Sequence, residues 1–353
     1  MWPRTDLLDL LGIDNPIIQA PMAGSTTPAL AAAVSNAGGL GSIGCATLSV
    51  EKLGETADEL RAATNRSFNL NFFAHAMPVP DAAKDERARR QVAGLYDEAG
   101  LGEPPASPGE PAFGTFDEDR LAALLDIKPA VVSFHFGMPE AAMVAALKDV
   151  GCRILCSATT VAEARMLEDA GVNAVIAQGW EAGGHRGTFD ISFEDDGIGT
   201  MALVPQIVDA VRLPVIAAGG IADGRGIAAA FALGASGVQM GTAFLSCPEA
   251  NVRDSYRDAL RRANDQDTRL SRAVSGRPAR GKNNRYMDVM AEHRHALPDF
   301  PLMYGYSAPL RATGDPDFDV MLYGQGAALN RELPAADLVA TLVDEAQSLL
   351  KPR

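Results

Sequence analysis

Short apolar runs recur along the first two thirds of the chain, and most are followed by a longer stretch with apolar residues at helical spacing. Residues 16–21, 40–43, 68–73, 130–134, 152–156, 174–177, 213–218 and 237–240 read as strands. Residues 28–37, 50–63, 117–125, 139–150, 160–170, 201–211 and 225–233 read as helices. Thr27-Pro28 opens the first of these helices, with Thr as the cap and Pro in the first turn, and Gly38-Gly39 stops it. Eight βα units in strict alternation predict a parallel sheet, and eight units predict a closed (β/α)8 barrel, an α/β TIM barrel. The alternative is an open doubly wound sheet. Gly-rich loops after several strands favour the barrel, because a dinucleotide-binding fold concentrates its glycines after the first strand.

Elsewhere the pattern changes. Residues 82–99 are charged and helical, and 100–114 are rich in Pro and Gly, which reads as a surface excursion. Residues 251–263 and 284–295 look helical, joined by a basic link at 272–285 that carries Gly and Pro. A final amphipathic helix covers 334–350. The expected organisation is a barrel at 1–245, completed by 315–353, with a helical insertion at 246–314 over its C-terminal face.

Composition narrows the function classes. With 353 residues and 47% apolar side chains, the chain can bury a large core. Its net charge of −14 argues against nucleic acid and against an anionic membrane surface. A phosphate ligand would therefore be held by backbone N–H groups and local dipoles. The four cysteines, Cys45, Cys152, Cys156 and Cys247, form no Cys-x-x-Cys pair, which reads as a reduced, cytoplasmic protein. No apolar h-region follows Met1, and no apolar run reaches membrane-spanning length.

The candidate chemistry centres on residues 174–189, a buried strand that breaks into a loop with Gln178, Glu181, Gly183, Gly184, His185 and Gly187. In α/β barrels such loops carry the reactive groups. The glycines let backbone approach a ligand and aim N–H groups at an anion. His185 is the one side chain there that exchanges a proton near neutral pH without perturbation. Further glycine clusters follow the last two strands, at Gly219-Gly220 and Gly241-Thr242, where such barrels hold phosphate. Asp223 reads as the cap of the next helix.

These motifs resemble a family. Ala20-Pro-Met-Ala-Gly, Asn71 in Leu-Asn-Phe-Phe, Gln178-Gly-x-Glu-Ala-Gly-Gly-His, Ala218-Gly-Gly-Ile-Ala and Met240-Gly-Thr look like the FMN-dependent nitronate monooxygenases, formerly 2-nitropropane dioxygenases. The wider superfamily includes FMN-dependent enoyl-ACP reductases. Asn71-Phe-Phe-Ala-His75 and Ser133-Phe-His-Phe-Gly137 resemble the class I monooxygenases. The resemblance spans about residues 17–244 and returns at 323–326. It implies one FMN and no metal. By the same resemblance Met22 and Asn71 lie along the isoalloxazine, Gln178 contacts the ring system, and Ala20 is a further cofactor-binding residue. Gly183, Gly184, Gly219, Gly220, Gly241 and Thr242 hold the ribityl phosphate, and Gly324 and Gln325 close the site. His185 is then the catalytic histidine. His135, His75, Ser133 and Phe300 are candidates for the substrate pocket. Residues 300–311 depart from the family pattern: relatives often begin with Tyr-Pro and follow with Gln, where Phe300 and Met303 stand here.

Each residue also has a structural reading. His135 and His75 either line the pocket or satisfy loop backbone groups. His293 and His295 read as surface residues of the insertion, the acidic run at 194–196 as solvated loop, and Cys156 as a packed core thiol. Glu181 reads as orienting the glycine loop, and Trp180 either shapes the cleft or packs on the rim. Three functions compete. One is a flavin monooxygenase using O2 to turn anionic alkyl nitronates, propionate 3-nitronate among them, into carbonyl compound and nitrite. Another is an NAD(P)H-dependent FMN reductase of enoyl-ACP or quinone type. The third is a non-catalytic binder of a phosphate ligand, against which His185 argues. The resemblance favours the first, as a monomer or homodimer.

Overall fold

The computed structural model describes residues 2–111, 113–190, 197–291 and 297–351. Eight parallel strands form the barrel: β1 (Ile17–Gln19), β2 (Gly41–Gly44), β3 (Phe68–Phe73), β4 (Val131–His135), β5 (Arg153–Ala158), β6 (Ala174–Gln178), β8 (Val215–Ala218) and β9 (Gly237–Met240). Their order is β1-β9-β8-β6-β5-β4-β3-β2, and a parallel bridge between Ile18 and Leu40 closes the ring. The one remaining strand of this half, β7 (Gly184–His185), stands outside the barrel. The (β/α)8 expectation is met strand for strand.

Side chains divide the barrel into layers. Helix α1 (Asp6–Leu11) plugs its N-terminal end, where Leu7 and Leu11 pack with Ile18, Leu40, Val131, Leu155, Ile176 and Ile216. Burying each such side chain contributes about 2 kcal/mol. A larger apolar shell lies between the strands and the surrounding helices α2 (Pro28–Asn36), α3 (Val50–Ala63), α5 (Glu118–Ile127), α6 (Ala141–Asp149), α7 (Val161–Asp169), α8 (Thr200–Ala210), α9 (Gly224–Ala232) and α13 (Ala335–Leu350). Local caps start these helices where the sequence places them. Thr27 Oγ1 accepts the Leu30 N–H at 3.0 Å, Asp223 accepts from Arg225 and Gly226, and Thr160 and Glu163 form a reciprocal capping box.

The cover over the C-terminal face differs from the expected helical insertion. The basic link at 272–285 contains a strand, β11 (Ala279–Lys282), which pairs antiparallel with β10 (Thr268–Ser271). β11 also pairs with β7, Ala279 opposite His185. Arg277 and Arg280 are basic yet buried, so the charge pattern of the segment masked a strand. Helix α10 (Asp254–Arg261) belongs to the barrel shell through Tyr256, Ala259 and Leu260. The lid proper has its own apolar core. It joins α4 (Ala82–Glu98), α11 (Arg285–Met290) and α12 (Tyr304–Ala312) around Tyr96, Phe136, Tyr286, Met290, Phe300 and Tyr306.

Residues 100–114 form the expected surface excursion, with none of the described residues buried, and the loop rests on the lid at two points. Pro108 lies against α12, where a Cβ on Gly305 would meet its carbonyl oxygen at 2.0 Å, and Phe113 stacks on Phe300 at 5.8 Å. His293, His295 and the acidic run at 194–196 lie outside the described residues. Among the described residues no helix is long and apolar enough to cross a membrane.

Candidate active site

A cavity of about 530 Å³ opens at the C-terminal ends of the barrel strands. Its floor is polar because β1 to β4 turn amide and hydroxyl side chains inward above the apolar plug. Gln19 accepts the Ser42 N–H at 2.9 Å, and Asn69 Nδ2 donates to Ser42 and Ser133 hydroxyls. Asn71 Nδ2 donates to Ser133 Oγ at 2.9 Å and to its carbonyl at 3.1 Å. Both N–H bonds of Asn71 are thereby fixed, which sets the side chain's orientation at the cavity wall. Ala20 and Met22 line the same wall from the loop after β1.

One side of the cavity is a glycine cradle. Gly183, Gly184, Gly219, Gly220, Gly241, Thr242 and Gly324 all line it. A Cβ on Gly183 would lie 2.5 Å from Gly324 N, and one on Gly324 would lie 2.6 Å from Glu181 O. Two stretches of backbone therefore touch where any side chain would separate them. The Gly324 N–H donates to Thr242 Oγ1 at 3.0 Å, tying the return loop to the loop after β9. Among the described residues the N–H groups of Gly219, Gly220 and Gly241 have no backbone partner. They are available to an anion.

Glu181 braces this cradle from behind, as the sequence suggested. Its carboxylate accepts the Thr200 N–H at 2.9 Å and the Thr200 hydroxyl at 2.8 Å, at the start of α8. Trp180 packs on the rim between the guanidiniums of Arg186 and Arg280. Gln325 is exposed and does not line the cavity; its N–H donates to Glu181 O at 3.0 Å.

The opposite side holds three histidines. His185 lines the cavity, and its Nε2 lies 2.9 Å from Ser275 Oγ in the lid. His135 Nε2 lies 3.1 Å from the His185 carbonyl, and its Nδ1 lies 2.5 Å from Ser157 Oγ. Gln178 completes the frame: Nε2 donates to His185 O at 3.0 Å, and Oε1 accepts the Gly187 N–H at 2.7 Å. Gln178 thus holds the loop of His185 while lining the cavity. His75 and Phe300 stand behind the wall rather than in it, with ring centroids 4.8 Å apart. Phe300 in turn contacts His185 at 5.4 Å.

Burial lowers all three histidine pKa values, to about 4 for His75 and His135 and to about 3 for His185. The charge of Arg277 lowers all three further. All three rings are therefore neutral at pH 7. Arg277 is itself buried, lying over the Phe136 ring at 4.0 Å and donating to the Thr188 carbonyl. Phe136 has φ of 76°, a left-handed conformation that is costly for an aromatic residue, and it packs in the lid core against Phe73 and Phe300.

Sequence reasoning did not single out Ser157, Ser275, Arg277, Phe113, Phe136 or Arg311. Ser157 is the last but one residue of β5 and lines the cavity, and strand periodicity would have found it. Ser275, Arg277 and Arg311 reach the site only through lid packing, which leaves no periodic trace. Cys156 is a buried thiol whose pKa burial raises, as a core residue should be.

Comparison with known proteins gives the site its context. The family model for nitronate monooxygenase matches residues 4–345. The nitronate monooxygenase of Pseudomonas aeruginosa is 49% identical over 343 residues, covering 95% of this chain and 97% of that protein. That of Paraburkholderia phytofirmans is 47% identical, covering 96% and 94%. Among solved structures, nitroalkane oxidase from Streptomyces ansochromogenes superposes with a TM-score of 0.88 at 41% identity, covering 97% of this chain and 98% of that one. FabK from Thermotoga maritima does so at 0.77 and 31% identity, covering 99% and 98%. With the family model spanning nearly its whole length, this chain belongs to the nitronate monooxygenase family.

Proposed function

We propose that the chain is an FMN-dependent enzyme that oxidises alkyl nitronates, of the propionate 3-nitronate type, with O2 to a carbonyl compound and nitrite. The observation that carries this reading is one cavity with two ends. A cradle of unpartnered glycine N–H groups forms one end, and a neutral histidine on a fixed frame forms the other. The cradle suits a phosphate, since Gly183 and Gly324 leave no room for a Cβ and the Gly219, Gly220 and Gly241 N–H groups have no backbone partner among the described residues. Gly183, Gly184, Gly219, Gly220, Gly241, Thr242 and Gly324 would hold the ribityl phosphate. Ala20, Met22, Asn71 and Gln178 would border the ring system. When bound, FMN supplies the electron-transfer chemistry between substrate and O2.

The protein's own share is to bind and orient. His185 is neutral and a weak base, so it is poorly suited to removing a proton from a neutral nitroalkane. A nitronate arrives already deprotonated and needs only a hydrogen-bond donor. Ser275 Oγ lies 2.9 Å from His185 Nε2 and holds the ring at the substrate end of the cavity. Phe73, Phe136 and Phe300 press on the His185 ring and keep bulk water from that end. Four buried, unpaired cysteines accord with a reducing cytoplasm. The enzyme works there as a monomer or homodimer.

An anaerobic absorbance titration of the purified yellow protein tests the reading. Propionate 3-nitronate should consume the oxidised-flavin band, and NADH or NADPH should leave it unchanged. Rapid bleaching by NAD(P)H would instead establish a flavin reductase. A colourless protein that takes up no FMN would overturn both.

A further inference from the structure

Arg311 is the one cavity-lining cation whose charge nothing in the described structure answers. Two arginines line the cavity, Arg253 and Arg311. Arg253 is ion-paired with the buried Asp319. Arg311, in the last turn of α12, makes no side-chain hydrogen bond and no ion pair among the described residues, and its Nε is buried without a partner. Its nearest specific contact is the Tyr304 ring, 5.8 Å away, which also lines the cavity. A buried N–H on a cation left unpaired is costly, so its retention at a cavity wall calls for a partner that the described protein does not supply.

The surroundings define that ligand. Phe113, Tyr304, Val320 and Leu322 make this wall apolar, with a single cation set into it. A series of ring contacts leads from His185 to Phe300 at 5.4 Å, to Tyr304 at 6.4 Å and on to Arg311. Arg311 is also near enough for its charge to depress the His185 imidazolium.

We propose that Arg311 is the specificity-determining residue that takes a carboxylate at the far end of the substrate from the nitronate group. This assignment deepens the functional reading above and depends on it for the identity of the reacting end. A guanidinium binds a carboxylate through two parallel N–H bonds, which a nitronate with a plain alkyl tail cannot form. The enzyme therefore prefers carboxylate-bearing nitronates to alkyl nitronates of equal length.

The test compares wild type, Arg311→Lys and Arg311→Met on propionate 3-nitronate and on propyl-1-nitronate, with flavin content read from absorbance. The ratio of the two kcat/KM values should fall about 10- to 100-fold in Arg311→Met, the size of one charge-assisted hydrogen bond. Arg311→Lys should recover part of it. Equal losses on both substrates, or no loss, overturn the assignment. Calorimetry with succinate gives a readout independent of turnover. Wild type should bind it and Arg311→Met should bind at least tenfold more weakly; equal affinities, or no binding to wild type, overturn the assignment. A wild type that oxidises neither nitronate sinks the functional reading alone, and the succinate result still decides Arg311.

Discussion

Ser275 Oγ stands 2.9 Å from His185 Nε2, so the lid holds the ring of the loop histidine while Gln178 of the barrel holds its backbone. The same hydroxyl lies 3.2 Å from the Arg277 carbonyl and accepts the Arg277 N–H at 3.3 Å. Ser275→Ala should leave the flavin content unchanged and lower kcat/KM for nitronate about tenfold, typical for losing the partner that orients a functional side chain. The histidine would then be free to exchange tautomers. A pH profile separates this from simple loosening: the apparent pKa governing kcat/KM should shift in Ser275→Ala. An unchanged profile with unchanged rate would show that the contact has no functional weight.

The glycine cradle makes a sharper prediction. A Cβ on Gly183 would lie within 2.5 Å of Gly324 N and of Tyr323 C, both backbone atoms that cannot swing aside. Gly183→Ala should therefore part the two loops and weaken FMN binding at least 100-fold, seen as colourless purified protein. Gly54→Ala is the control. Gly54 lies inside α3, and nothing stands within 4 Å of where its methyl group would be. Alanine there should stabilise by about 0.5–1 kcal/mol and leave the colour intact. Thermal melts and absorbance of the two variants decide it.

Glu181 links the cradle to the start of α8. Glu181→Ala removes the acceptor of the Thr200 N–H and hydroxyl, which should cost about 1–2 kcal/mol. The Thr200 hydroxyl lies 2.9 Å from the Gly219 carbonyl, so the loss reaches the phosphate end. FMN affinity should drop about tenfold, measured by fluorescence recovery of released flavin. Retention of wild-type affinity would show that the glycines hold their shape without Glu181.

The barrel was legible because each strand is a short apolar run bounded by glycines or caps that act locally. Thr27, Asp117, Thr160 and Asp223 cap the helices their positions suggested. Gly219 and Gly220 were legible for a local reason, since their φ of 111° and 71° favours glycine, whereas Gly183 is required by the approach of Gly324 from far along the chain. The lid was not legible. Ser275 and Arg277 reach His185 because β11 pairs with β7, a contact between residues some 90 apart in the chain. Nothing in a two-residue strand at Gly184–His185 announces a partner. The reading of 272–285 as a link failed because Arg280 and Arg277 bury their charge against carbonyls and aromatic rings, a pairing that composition does not show.

His75 offers a test of how the pocket depends on pH. Both its ring nitrogens are buried without a hydrogen-bond partner among the described residues, and Phe73, Phe136 and Phe300 surround it. Burial, aided by Arg277, lowers its pKa to about 4, against about 6.5 in an unfolded chain. The sign follows: below pH 6.5 the unfolded chain binds protons that the folded protein refuses. Stability is therefore complete above pH 6.5 and falls as the pH drops toward 4. His135 and His185 act in the same direction, each costing about 1–2 kcal/mol at pH 5 once solvent screening is allowed for. His75→Phe removes one of the three contributions and replaces two unsatisfied polar atoms with apolar surface. It should stabilise the protein by about 1 kcal/mol at pH 7 and by more at pH 5, read from urea melts at both values. A loss of stability at pH 7 would mean that the imidazole has a polar partner that only the bound state or an ordered water supplies.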